Sequence, residues 1–103
     1  MTDPIHASLV KKLNPNRFSN MSGKMAAIVG HILGERFTEP EIAWMSISSD
    51  GFVTTESVFI GRAEDLENNL TNLYVASGLT TPEIKAFNQL YRSKVDDWRK
   101  GGR

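Results

Sequence analysis

The chain of 103 residues contains no cysteine. This absence excludes a disulfide framework, a thiolate metal site and a cysteine nucleophile. Long apolar runs are also missing, so the sequence offers no candidate for a membrane-spanning helix, which needs roughly 20 apolar residues. The first ten residues lack the basic start and apolar stretch of a secretory signal peptide. We therefore expect a cytoplasmic protein that does not contact a membrane.

The chain also lacks net charge, because 12 basic and 12 acidic residues cancel. The charges are unevenly spread: residues 1–36 carry +3, residues 37–70 carry −6 and residues 71–103 carry +3. One interpretation is charge matching between neighbouring elements, and the other is a docking face for a charged partner. The neutral total argues against a strongly basic surface for nucleic acid.

Groups typical of catalysis or metal binding are sparse. His6 and His31 lie far apart in the sequence, and neither has a partner at ligand spacing. Gly23 and Lys24 resemble part of a phosphate-binding loop, but the loop's first glycine is absent and Met25 replaces its Ser or Thr. The sequence therefore predicts no catalytic residue, no metal ion and no cofactor.

The length is that of one domain, residues 1–103, with residues 100–103 as a frayed tail. Two segments in its first third carry apolar residues at helical spacing. The first stripe follows Pro4 and comprises Ile5, Leu9 and Leu13. The second stripe comprises Met25, Ile28, Val29, Ile32 and Leu33. Two helices are predicted from these stripes.

Residues 43–60 change to the alternating pattern of strands, interrupted by an Asp-Gly pair. A three-residue loop at residues 49–51 would pair Ile47 with Val53 and place the apolar side chains of both strands on one face. A two-residue loop gives neither face a clean apolar pattern. We therefore predict the three-residue loop, with Asp50 as a turn residue and not a ligand.

A two-stranded hairpin is marginal alone, so helices must cover one face, and its edges invite pairing with a second copy. A homodimer is therefore expected. Trp44 lies on the outer face in this register, where a helix, a subunit or a partner must cover it. Residues 45–55 resemble the first hairpin of roadblock and longin-like dimerising domains. Those domains have further strands after the next helix, whereas this chain has another helix.

Residues 63–99 are predicted to form two helices separated by Gly78. Acidic side chains open the first helix, where its dipole is positive: Glu64, Asp65 and Glu67. Thr80 and Glu83 can form a capping box for the second helix. Its apolar stripe comprises Ile84, Phe87, Leu90, Tyr91, Val95 and Trp98. The predicted class is α+β, a small single domain with an antiparallel β-hairpin packed among about four helices in the order α, α, β, β, α, α.

The helix pair around Gly78 resembles a helix-turn-helix, since apolar residues fall where that motif needs them. It departs from the motif at Tyr74, because the position four residues before the glycine is normally small. The resemblance implies that the second helix would contact DNA. The candidate nucleic-acid contacts are Lys85, Asn88, Gln89 and Arg92.

The leading prediction is a small, non-enzymatic binding or regulatory module that acts through protein–protein contacts, and the alternative is DNA binding by residues 63–99. Trp98 continues an apolar stripe, so it belongs either to the core or to a contact surface, where a Trp-Arg pair would suit a hot spot. The candidate partner contacts are Trp44, Trp98, Arg99, Glu64, Asp65 and Glu67.

Overall fold

A computed structural model describes residues 3–15, 23–35, 37, 45–55 and 59–100. Its elements are α1 (Pro4–Lys12), α2 (Gly23–Leu33), β1 (Met45–Ile47), β2 (Phe52–Thr55), β3 (Phe59–Arg62), α3 (Ala63–Ser77) and α4 (Thr81–Arg99). The predicted α+β class is confirmed, and the described ranges contain four helices where about four were predicted. The segment after the Asp-Gly turn forms two strands, so the described part of the sheet has three strands where a two-stranded hairpin was predicted.

The strands form an antiparallel sheet in the order β1-β2-β3. Ile47 pairs with Val53, so the predicted register is confirmed. The loop is closed by Gly51, whose N–H donates to the Ser48 carbonyl at 2.9 Å and whose φ is 85°. This positive φ is why glycine follows Asp50. Asp50 is exposed in the turn, as expected of a turn residue.

The third strand contains Gly61, which the sequence pattern had placed at the end of the strand region. Gly61 pairs with Val53 and has a φ of 138°, a conformation that side-chain-bearing residues avoid. The β2–β3 register shifts between Val53 and Thr54. Such a bulge lets a strand continue through a glycine that would otherwise end it.

The first two helices use the apolar stripes predicted for them. Leu9 and Leu13 are buried, whereas Ile5, in the first turn of α1, is 37% exposed. Gly30 lies inside α2, and a Cβ there would come within 2.5 Å of the Glu35 carbonyl oxygen. Gly30 therefore allows the backbone that follows α2 to pass close to the helix.

The core is organised around α4. This helix packs mainly against α1, α2 and β1, whereas α3 packs mainly against β3. Phe87 and Trp98 of α4 are among the largest fully buried side chains. The N-terminus of α4 has the predicted capping box of Thr80 and Glu83. Lys100 caps the other end, and residues 101–103 of the predicted tail lie outside the described residues.

No helix in the described ranges is both long enough and apolar enough to cross a membrane.

Candidate functional site

An open groove of about 690 Å³ separates α3 from α4, and we call it the α3–α4 groove. The α3 wall comprises Glu67, Leu70, Thr71, Tyr74 and Val75. The α4 wall comprises Ile84, Asn88, Tyr91, Arg92, Val95 and Asp96. Six of these residues are apolar or aromatic and five are polar, three of them charged, so the lining combines apolar surface with polar groups, as is common in binding sites.

Tyr74 of α3 lies between the two helices and lines the groove. Its ring packs edge-on against Phe87, with ring centroids 5.4 Å apart at 72°, and its hydroxyl donates to Asn88 Oδ1 at 3.1 Å. A helix-turn-helix has a small residue at this position so that its helices can pack closely. The departure noted in the sequence therefore opens a cleft on one side of the pair.

Tyr91 forms the floor further from the turn. Its hydroxyl donates to Glu67 Oε1 at 3.3 Å, which places Glu67 beside Tyr91 at one level of the groove. Burial, reinforced by the Glu67 charge, raises the pKa of Tyr91 and raises the pKa of Tyr74 to about 12. Both phenols are therefore neutral at physiological pH, and their protons are donated within the groove.

The rim of the groove is exposed and carries an apolar residue. Val75 is 81% exposed, the highest value among the large apolar residues described. Arg92 and Asp96 are also exposed on the α4 rim, and no ion pair within 4.0 Å joins either of them to another described residue. The groove thus presents unpaired charges and bare apolar surface together.

The structure corrects the assignment of Trp98 as a partner contact. Its side chain is 1% exposed and packs edge-on against Tyr91, with ring centroids 6.1 Å apart. The His31 ring lies 6.0 Å away. The indole N–H has no hydrogen-bond partner among the described residues. Because the apolar face of α4 stays against the core to its last turn, Trp98 is a core residue.

The other predicted partner contacts that the structure describes lie at the start of α3 and at the end of α4. Trp44 lies outside the described residues. Arg99, Glu64 and Asp65 are exposed, and Arg62 Nε lies 3.5 Å from Glu64 Oε1. Among these six residues, Glu67 is the member that lines the groove.

The four predicted nucleic-acid contacts divide into two groups. Lys85, Gln89 and Arg92 are exposed at helical spacing on one face of α4. Asn88 is half-buried, and its Oδ1 accepts a hydrogen bond from the Tyr74 hydroxyl. It would have to give up this bond to reach a base.

A second polar cluster joins α1 to α4 around Glu83, which is 5% exposed. Lys12 Nζ donates to Glu83 Oε1 at 2.8 Å, and the Ser8 hydroxyl donates to Glu83 Oε2. The Thr80 N–H and hydroxyl each donate to Oε1 at 2.8 Å. Ser8 and Lys12 lie one turn apart on α1, and this spacing is visible in the sequence. The sequence does not show that Glu83 is their common partner.

The Glu83 cluster is suited to holding the fold rather than to proton transfer. Hydrogen bonds from Lys12 and Ser8, followed by those from Thr80, lower the pKa of Glu83 from 4.5 to about 2. A carboxylate with this pKa is too weak a base to take a proton from a substrate near neutral pH. Its oxygens are already occupied by donors, so the cluster acts as a clamp between helices.

Over the described ranges, no group of three or more histidine or acidic side chains could hold a metal ion. Comparison with known protein families, with curated proteins and with solved structures finds no match for this chain. The geometry of the α3–α4 groove and of the Glu83 cluster is therefore the basis for a functional proposal.

Proposed function

We propose that this protein is a small, non-enzymatic binding module and that the α3–α4 groove is its protein-binding site. The observation that carries the proposal is Val75, an apolar side chain 81% exposed on the rim of an apolar groove. Exposed apolar surface beside a concave, aromatic floor is typical of protein contact sites. An amphipathic helix laid between α3 and α4 would cover it.

The polar groups of the groove favour binding over catalysis. Tyr74 donates to Asn88 and Tyr91 donates to Glu67, so these groups are satisfied within the protein. Both tyrosine rings are more than nine-tenths buried, so they support the groove from below, and Val75 offers the exposed apolar surface. A catalytic site needs an activated nucleophile or a base with a pKa near neutrality, whereas the tyrosine pKa values are raised.

The test is affinity capture from a lysate of the cells that make the protein, with Val75→Asp as the groove variant. A carboxylate placed in an apolar contact loses several kcal/mol, so capture of the partner should fall at least about tenfold. Asn69→Asp is the matched control, because it adds the same charge at an exposed α3 position that does not line the groove. Equal capture by Val75→Asp and the wild type would place the binding site elsewhere.

DNA binding is the second candidate function, and the exposed face of Lys85, Gln89 and Arg92 favours it. A labelled DNA duplex, followed by fluorescence anisotropy, tests it. If this candidate is correct, affinity falls steeply with salt, and Lys85→Ala and Arg92→Ala each weaken binding. Binding that ignores both substitutions would refute it. Nuclease treatment of the captured material separates the two candidates, because a protein partner survives it.

A further inference from the structure

We infer that the partner that covers the α3–α4 groove is a second copy of this chain. In the proposed dimer the two grooves face each other about a two-fold axis parallel to the helices, so that α3 of each protomer lies along α4 of the other. This inference rests on the proposed function and names the partner of the same site. It also differs from the dimer expected through strand edges, and the test below separates them.

The two helices carry exposed charges of different sign beside the groove. The sequence of α3 contains three acidic residues and no basic residue, and Glu67 is the acid that lines the groove. The exposed bases Lys85, Arg92 and Arg99 recur on α4 every seven residues, which is two helical turns, so they form one stripe, of which Arg92 lines the groove. A two-fold arrangement that lays α3 on α4 brings unlike charges together, whereas one that lays α3 on α3 brings acids together.

Glu67 and Arg92 lie at matching levels along the groove. The bond between Tyr91 and Glu67 fixes Glu67 at the level of Tyr91, and Arg92 is the next residue on α4. Glu67 and Arg92 therefore lie at similar heights on opposite walls, and no ion pair within 4.0 Å joins them. An axis parallel to the helices preserves height. The partner's Glu67 then faces Arg92, and the pair forms twice in each dimer.

The acidic member of the α4 rim does not oppose this arrangement. Asp96 lies one turn beyond Arg92, and the same symmetry brings it towards the start of the partner's α3. Glu64 at that end has a counter-ion of its own, since Arg62 Nε lies 3.5 Å from it. Asp96 therefore lies near the partner's Arg62–Glu64 ion pair, which has no net charge, and it can accept hydrogen bonds from the guanidinium of that pair.

The dimer would also cover exposed apolar area. Val75 is 81% exposed on the α3 rim and would be buried against the partner's α4. Helices of 15 and 19 residues are about 22 and 28 Å long and roughly 10 Å across, so their joint face is at the small end of stable interfaces. We therefore expect a weak dimer, with a Kd on the order of micromolar.

The experiment is sedimentation equilibrium on three charge variants, from about 1 to 200 µM protein around the expected Kd. Glu67→Arg alone and Arg92→Glu alone each place like charges at both pairs, so each should raise the dimer Kd at least about tenfold. An equimolar mixture of the two variants restores both attractive pairs in a heterodimer. Its Kd should return to within about threefold of the wild type.

The matched control is Asp65→Arg, which makes the same charge change at an exposed α3 position outside the groove lining and should leave the dimer intact. Circular dichroism on each variant separates lost dimerisation from lost folding. The inference is overturned if the wild type is monomeric throughout, if the single variants dimerise like the wild type, or if their mixture does not recover. A dimer insensitive to Glu67→Arg has its contact elsewhere, such as a strand edge.

The two proposals can fail separately. A monomeric wild type that still captures another protein in a Val75-dependent way would refute the second copy and keep the protein-binding groove. Capture unaffected by Val75→Asp, together with charge variants that leave a dimer unchanged, would refute both.

Discussion

Replacing Glu83 with glutamine removes the charge that joins α1 to α4. The glutamine keeps the size of the side chain and one acceptor oxygen. It cannot form an ion pair with Lys12, whose side chain is 29% exposed, and it places an NH₂ group where an oxygen accepted a donor. The protein should still fold, because the change is confined to one buried cluster.

The magnitude follows from the pKa of Glu83, which the fold lowers from 4.5 to about 2. Each pKa unit corresponds to about 1.4 kcal/mol, which sets an upper limit of roughly 3 kcal/mol, and solvent around the partly exposed Lys12 screens part of it. We expect Glu83→Gln to lower the free energy of unfolding by about 1–2 kcal/mol at neutral pH. This is a large part of the total for a domain of this size, typically about 5–15 kcal/mol.

The pH dependence distinguishes the charge from simple packing. A depressed carboxyl pKa contributes stability that is complete above the unfolded value of 4.5 and is lost as pH falls through about 2. Urea unfolding followed by circular dichroism, on wild type and variant at several pH values, measures the difference. The difference in the free energy of unfolding between wild type and variant should be constant above about pH 5.5 and should approach zero towards pH 2.

A gap that stays the same down to the lowest pH would refute the argument, because an uncharged loss of packing does not titrate. Asp50→Asn serves as the control. Asp50 is exposed in the turn between β1 and β2, where asparagine is also favoured, so its substitution should change the free energy of unfolding by no more than about 0.5 kcal/mol. Comparing each variant with the wild type at the same pH cancels the contributions of distant acids.

Two further predictions concern the core and the groove. Gly30→Ala should lower the free energy of unfolding by about 1–2 kcal/mol in urea unfolding, because the new Cβ would lie 2.5 Å from the Glu35 carbonyl oxygen. Gly23→Ala is the control, because a Cβ at Gly23 meets nothing within 4 Å and should not destabilise the protein. Equal effects of the two substitutions would contradict this prediction. The chain has two tyrosines, Tyr74 and Tyr91, and both pKa values are raised, so ultraviolet titration should detect no phenolate at about pH 10 while the fold persists. Since raised phenol pKa values stabilise the neutral native form, stability should fall as pH rises above 10. Normal ionisation of either tyrosine in the folded protein would refute the packing described for it.

The hairpin shows what the sequence could predict. Its register was predictable because Ile47 and Val53 can share a buried face in one loop length only, and Gly51 supplies the positive φ that this loop needs. The third strand was not, because Gly61 has the signature of a strand end, and only pairing with Val53 shows that the strand passes through it.

The candidate site shows where sequence reasoning stopped. Tyr74 was recognised as too large for a helix-turn-helix, but sequence alone does not give the direction in which the helices separate. Glu83 was assigned to the capping box, but its contact with Ser8 joins residues 75 positions apart. The sequence pattern around Trp98 was compatible with a buried position in the apolar stripe of α4 and with an exposed position at the end of that helix. The packing of α4 against the core shows that Trp98 is buried.

The central place of α4 has a consequence for synthesis on the ribosome. Among the described elements α4 is the last to be translated, yet it supplies the surface on which α1 and α2 pack. The apolar faces of those early helices therefore remain uncovered in the nascent chain until α4 leaves the exit tunnel. Folding must wait for contacts between distant parts of the sequence, and during this interval the chain exposes apolar surface of the kind that chaperones bind.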